Sequence, residues 1–215
     1  MWELVKAGGW LMLPLILCSI FTVAISIERF IRLKRQMIVP SNLVLQQGAA
    51  IEPVLQQLKT QPALKETTLG RIFSAGVSAK HHNEQYARAQ MEATASQEIS
   101  YLEKNINFLG TLSAVAPLLG LLGTVLGIIE SFLVIDLGST SNPTMMIPGI
   151  SKALITTAAG MLIAVPALFA YRYFQRLVQE YIAELEQQAT LFHAAMFYEP
   201  PTSNTTAVDD LQKVG

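Results

Sequence analysis

The chain reads as an all-α membrane protein with three spanning helices, and three observations lead there. Of 215 residues, 51% are hydrophobic and only 14% charged, and mean hydropathy is positive, a composition of the membrane class. Residues 10–27, 106–129 and 153–171 contain no Asp, Glu, Lys, Arg or His, and each window is long enough to cross a hydrocarbon core of about 30 Å as helix. The last two windows also carry a seam of small and hydroxyl residues. Ser113, Pro117, Gly120, Thr124, Gly127 and Ser131 alternate in steps of four and three, as do Ala153, Thr157, Gly160, Ala164, Ala167 and Tyr171, so each set shares one helical face. Such faces suit another helix or a cavity, because lipid is better matched by Leu, Ile and Phe.

Residues 1–9 hold one Lys against one Glu and are expected on the periplasmic side. The first span, 10–28, is followed at once by Arg29, Arg32, Lys34 and Arg35. That cluster marks the cytoplasmic end of a retained span rather than a cleaved leader. Glu28 and Arg29 are expected to snorkel to the interface. A cytoplasmic helical segment, 29–105, comes next. Ser41 and Asn42 can cap a helix running towards Lys59, Pro62 ends it, a second helix covers 64–78, and His81, His82 and Asn83 make a turn.

From Glu84 no Gly or Pro intervenes before Gly110, and Met91, Ile99, Leu102, Ile106 and Leu109 keep one apolar face. The second span, 106–135, is therefore expected to start well below the membrane. The loop 136–149 has no Lys or Arg, which suits the periplasm. The third span, 150–172, precedes Arg172 and Arg176 and runs on as a cytoplasmic helix over 173–198. There Val178, Ile182, Leu185, Ala189, Phe192 and Met196 continue the four-three spacing. Pro200 and Pro201 open a polar tail, 199–215, expected to be disordered. The N-terminus thus lies outside and the C-terminus inside.

Several functions are excluded or disfavoured. A net charge of -1, with no basic patch interleaved with aromatics, gives nucleic acid no groove. Cys18 is the single cysteine and reads as a small core residue. No phosphate-cradling loop, nucleophile elbow or metal-binding spacing is present, and adjacent His81 and His82 project about 100° apart on a helix, poor geometry for one metal. No enzyme activity, cofactor or metal is expected. A small transporter would call for a repeat pair flanking broken helices, which the chain lacks.

The informative feature is a missing residue. A proton path normally needs an ionisable group near mid-membrane, and neither seam has one. Thr124 and Thr157 supply hydroxyls that exchange hydrogen bonds but hold no proton. Each sits about 10 Å from its outer helix end, so the two hydroxyls are expected at one level. Thr156, Ser113 and Ser131 are further candidates to line a pathway, and Glu130 and Lys152 stand at the outer edge. Spacing alone equally allows that these hydroxyls bond to backbone and let helices pack closely.

The segments APLLGLLGTVLGIIESF, from Ala116 to Phe132, and PGISKALITTAAGMLIAVPALFAY, from Pro148 to Tyr171, resemble the two motif regions of the MotA/TolQ/ExbB proton channel family. The opening, with KAGGW and IERF, is most similar to the ExbB branch. The resemblance implies a multi-pass protein of the bacterial inner membrane, a homopentamer whose second and third spans line a pore and extend into a cytoplasmic helical bundle. It further implies an ExbD- or TolR-like single-span partner whose intramembrane Asp carries the proton, with room for a TonB- or TolA-like component. On the same resemblance Thr124 and Thr157 match pore-lining threonines and Pro117 and Pro166 match helix-bending prolines, while Gly120, Gly127 and Gly160 on the seams are expected to serve close packing. Many relatives carry Glu after the PGI-x element where this chain has Lys152. A cation there repels entering protons unless Glu130 or Asp136 neutralises it. The expected function is a motor subunit that converts proton motive force into work on the cell envelope, the alternative being a non-conducting scaffold around a partner helix.

Overall fold

In the computed structural model residues 8–137 and 143–198 are described. The described residues are helical with turns and contain no strand. Three helices are long and apolar enough to cross a membrane. The chain divides into two compact units, one of Met1–Leu33 with Tyr101–Gln179, the other of Lys34–Ser100 with Glu180–Gly215.

In the first unit, α1 (Met12–Arg32) rises about 31 Å at 1.5 Å per residue. Leu15, Cys18, Thr22, Ile25 and Arg29 form its buried stripe. Leu13, Leu17, Ile20 and Ile27 lie exposed, the apolar surface that hydrocarbon accepts. Phe21 meets Phe108 edge to face at 6.1 Å. Helix α7 (Ile106–Leu137) contains Pro117 and α8 (Ile147–Phe197) contains Pro166. Both sit well inside their helices, where each ring removes one backbone donor.

The second unit is built differently. After α2 (Arg35–Ile38), a 3-10 turn at Ser41–Leu43 leads into irregular chain. Then come α3 (Glu52–Thr60), α4 (Pro62–Lys65), α5 (Thr68–Ala79) and α6 (Glu84–Glu103). Ser41 and Asn42 therefore do not cap a helix to Lys59. Residue 45 is held instead by buried Gln188, whose Oε1 accepts from the Leu45 N–H at 2.7 Å while its Nε2 donates to the Leu45 carbonyl at 3.3 Å. A side-chain amide thus pairs that backbone group where a helix ladder would have done so. The helix expected over 64–78 is also split. Thr67 caps α5, its hydroxyl oxygen accepting from the Gly70 N–H at 3.2 Å.

The core of this unit gathers Ile38, Val39, Leu43, Leu69, Ile72, Phe73, Leu185 and Phe192, with Phe73 and Phe192 stacked at 3.9 Å. Arg71 bridges Glu98 at 3.0 Å and Glu66 at 3.1 Å, and these hydrogen bonds push its pKa above the ordinary value. His81 and His82 are exposed, with His82 tilted on Tyr86.

Helix α8 runs unbroken for 51 residues, from the third apolar window into the second unit. The second span is not continuous with the helix before it: α6 ends at Glu103, Lys104 and Asn105 form a turn, and Asn105 takes the left-handed φ of 66°. The expected tail at 199–215, residues 1–7 and Asp136's side chain lie outside the described residues.

Candidate functional site: the seam between two membrane helices

Helices α7 and α8 meet along the two small-residue seams, running antiparallel. A Cβ added at Gly160 would stand 2.6 Å from the Ala116 carbonyl oxygen and 3.0 Å from the Gly120 Cα. One added at Gly120 would reach the Thr156 carbonyl and Thr157 Cα at 3.1 Å, and one at Gly127 the Gly149 carbonyl at 2.7 Å. Backbone therefore touches backbone over several turns, which in lipid, without a hydrophobic drive between helices, is how close packing is obtained. Gly110 at the inner end lies against the Tyr171 ring. Ala153, Ala164 and Ala167 are buried on the same stripe of α8.

The hydroxyls divide into two groups. Ser131 is 2% exposed and Thr156 0% exposed. Ser131 donates to the Gly127 and Met146 carbonyls at 2.8 and 3.2 Å, while Thr156, packed on Gly123, donates to the Ala153 carbonyl at 2.9 Å. Within the chain both are buried between the two helices and hydrogen-bonded to backbone. Thr124, Thr157, Ser113 and Pro117 are half-buried. Thr157 donates across the seam to the Gly120 carbonyl at 3.0 Å, and Thr124 donates to its own Leu121 carbonyl at 2.6 Å. The two threonines do not bond to each other. Thr157 meets α7 at Gly120, one turn of about 6 Å inward of Thr124. Ser113 donates to the Gly110 carbonyl at 2.7 Å, and Pro166 is exposed on the far side of α8.

At the end of the seam near Leu137, Lys152 Nζ lies 2.9 and 2.8 Å from the two oxygens of Glu130. Lys152 is 23% exposed and Glu130 52%. They border a cavity of about 330 Å³ shared with Val134, Met145 and Gly149. Gly9, at a left-handed φ of 71°, lies so close that an added Cβ would overlap the Lys152 stem. Gly9 and Gly123 are the site residues that sequence reasoning passed over. Gly123 was visible as the middle of the Gly120, Gly123 and Gly127 series, whereas nothing local to the KAGGW element tells of Lys152.

Arg29 is turned into the protein rather than snorkelling, whereas the Glu28 side chain stays 34% exposed. Arg29 is 3% exposed, and Nη1 donates to the Tyr101 and Leu102 carbonyls at 3.3 and 3.1 Å. Glu28 accepts from Asn105 Nδ2 at 3.0 Å. Backbone acceptors left open by the break after α6 draw the guanidinium inward.

The sequence that builds these seams matches a known set of proteins. The profile of the MotA/TolQ/ExbB proton channel family covers residues 64–187. The chain belongs to that family. A putative biopolymer transport protein ExbB-like 1 from Synechocystis is 34% identical over 200 residues, 90% of this chain and 79% of that relative. The Tol-Pal system protein TolQ of Haemophilus influenzae is 35% identical over 115 residues, 52% of this chain and 50% of its own. The biopolymer transport protein ExbB of Salmonella typhimurium is 40% identical over 85 residues, 40% of this chain and 35% of its own. Within the MotA/TolQ/ExbB family the resemblance runs to the ExbB branch. As a family member with three apolar helices, the chain is a multi-pass membrane protein of the envelope energy-transduction class.

Proposed function

We propose that the chain is the channel-forming subunit of a proton-driven motor in the bacterial inner membrane, assembled as a homopentamer around an ExbD- or TolR-like single-span partner. The observation that carries this is the uncharged seam: residues 106–129 and 153–171 contain no ionisable acid, base or histidine. A proton crossing that layer needs a carboxylate from another chain. In this reading the half-buried Thr124 and Thr157, with Ser113, face the partner's aspartate, while Glu130 and Lys152 flank the entry. The N-terminus is periplasmic and the C-terminus cytoplasmic, because Arg32, Lys34 and Arg35 follow α1 and Arg172 and Arg176 follow the third span. One charge moving through 100 mV releases about 2.3 kcal/mol, so a few protons per cycle suffice to rearrange a helix interface. The work is passed to a TonB- or TolA-like protein.

A second reading, a non-conducting scaffold, draws on the hydroxyl bonding: Ser131, Thr156 and Thr157 all spend their hydrogens on backbone carbonyls. Co-expression with a single-span protein bearing an intramembrane Asp, followed by native mass spectrometry, tests the assembly. Five copies retaining the partner are expected. A stable oligomer that never retains it would contradict both readings, and proton flux through the retained complex separates the channel from the scaffold.

A further inference from the structure

The break between α6 and α7 raises the question of what sets the rotation of the second membrane helix. A continuous helix would carry its azimuth through, and each residue of slip turns a helix by about 100°. Lys104 and Asn105 interrupt the helix, with Asn105 left-handed, a conformation Asn accepts more readily than other side chains do. Both sides of that interruption are gripped by consecutive residues of α1. Before it, Arg29 Nη1 donates to the Tyr101 and Leu102 carbonyls, among the last carbonyls of α6 that a helix leaves unpaired. At its last residue, the one from which α7 starts, Asn105 Nδ2 donates to Glu28 Oε2 at 3.0 Å. The two grips are joined: Glu28 Oε1 lies 3.6 Å from Arg29 Nη2 and 3.1 Å from Arg32 Nε. Arg29 Nε meets no acceptor on the protein, and burying a guanidinium is a cost that Leu or Met would avoid.

We propose that Arg29, with Glu28 and Asn105, is a clasp that sets the rotational register of α7, a positioning site that decides which way Thr124 and Glu130 face. Its meaning for conduction rests on the proposed function; its meaning for helix orientation does not. The sequence places IERF at the end of a span, and its partners lie more than 70 residues away in the chain.

The test uses the full chain with its partner in native membranes, with Cys18→Ala and single cysteines placed in turn from Leu118 to Val125. Maleimide labelling reads which face of α7 is open, and proton flux is read in parallel. The unaltered clasp should give labelling that repeats at helical spacing and is strongest on the face that carries Thr124. Arg29→Met should shift that pattern or flatten it, and cut flux about ten-fold. Asn105→Gly, which permits the left-handed turn but loses the Glu28 bond, should shift it less. Should Arg29→Met not accumulate, Arg29→Lys keeps the charge without the fork that reaches two carbonyls and should show the same shift. An unchanged labelling phase in Arg29→Lys and Asn105→Gly would overturn the clasp. A shifted phase in a protein whose parent conducts nothing would uphold the clasp and remove the channel reading.

Discussion

The two units of this chain are held together by opposite means. Between α7 and α8 the closest contacts are made by what is missing: glycines at 120, 127 and 160 bring backbone within van der Waals reach of backbone. In the unit of Lys34–Ser100 and Glu180–Gly215, large side chains fill the interior, led by the stacked Phe73 and Phe192. Ion pairs such as Arg71 with Glu98 and Arg35 with Glu184 dress that unit's surface. Water drives the second arrangement by expelling apolar area. Lipid offers no such drive, so close approach and interhelical hydrogen bonds must serve. The comparison teaches why the membrane seam carries hydroxyls without carboxylates: a buried charge would have to be paired inside the packing surface itself, whereas Thr and Ser settle on carbonyls one turn away.

The sharpest way to break this contrast is to add volume at the membrane seam and remove it from the core of the second unit. Gly160→Leu drives a side chain into the Ala116 carbonyl and Gly120 and should abolish recovery of folded protein from membranes. Phe192→Ala should cost about 3–5 kcal/mol, read as a lowered thermal unfolding midpoint in detergent, with protein still recovered. Were Gly160→Leu tolerated as well as Phe192→Ala, the seam would not be a close backbone contact.

A smaller effect is expected at the hydroxyls. Thr157→Val removes the bond to the Gly120 carbonyl and keeps the volume. Helix association should weaken by about 0.6 kcal/mol, within the error of most assembly assays, while partner-dependent growth falls clearly. Full growth with both Thr124→Val and Thr157→Val would leave these hydroxyls as packing groups and favour the scaffold.

The smallest effect belongs to the outer pair. Glu130 and Lys152 are in contact but partly exposed, so their coupling is expected at about 0.2–1 kcal/mol. A double-mutant cycle of Glu130→Gln and Lys152→Gln on proton flux should show the double variant milder than Glu130→Gln alone. Strict additivity would reject the pairing as a functional one.

How much of this could be read from the residues follows from the distance over which each contact acts. The seams were legible because both are written at helical spacing within single segments, and the Glu130 and Lys152 charges because each lies a few residues from an apolar edge. The break at Asn105 was not. Neither Gly nor Pro marks it, and its stabilising partners, Glu28 and Arg29, sit in another helix where a charge at the membrane edge reads as snorkelling. The irregular stretch around Leu45 was hidden for the same reason, since Gln188 holds it from 143 positions away. The burial of Ser131 and Thr156 was not legible either, because spacing shows which residues share a face, not whether a second helix covers it.

The central claim is that the membrane unit supplies packing and hydroxyls but not the proton carrier. Passive proton flux into liposomes holding this chain alone, under an imposed pH gradient with a potassium diffusion potential, tests it most directly. Flux at the level of protein-free liposomes is predicted, rising when a single-span partner with an intramembrane Asp is co-reconstituted and falling again when that Asp becomes Asn. Robust flux from this chain alone would contradict the account.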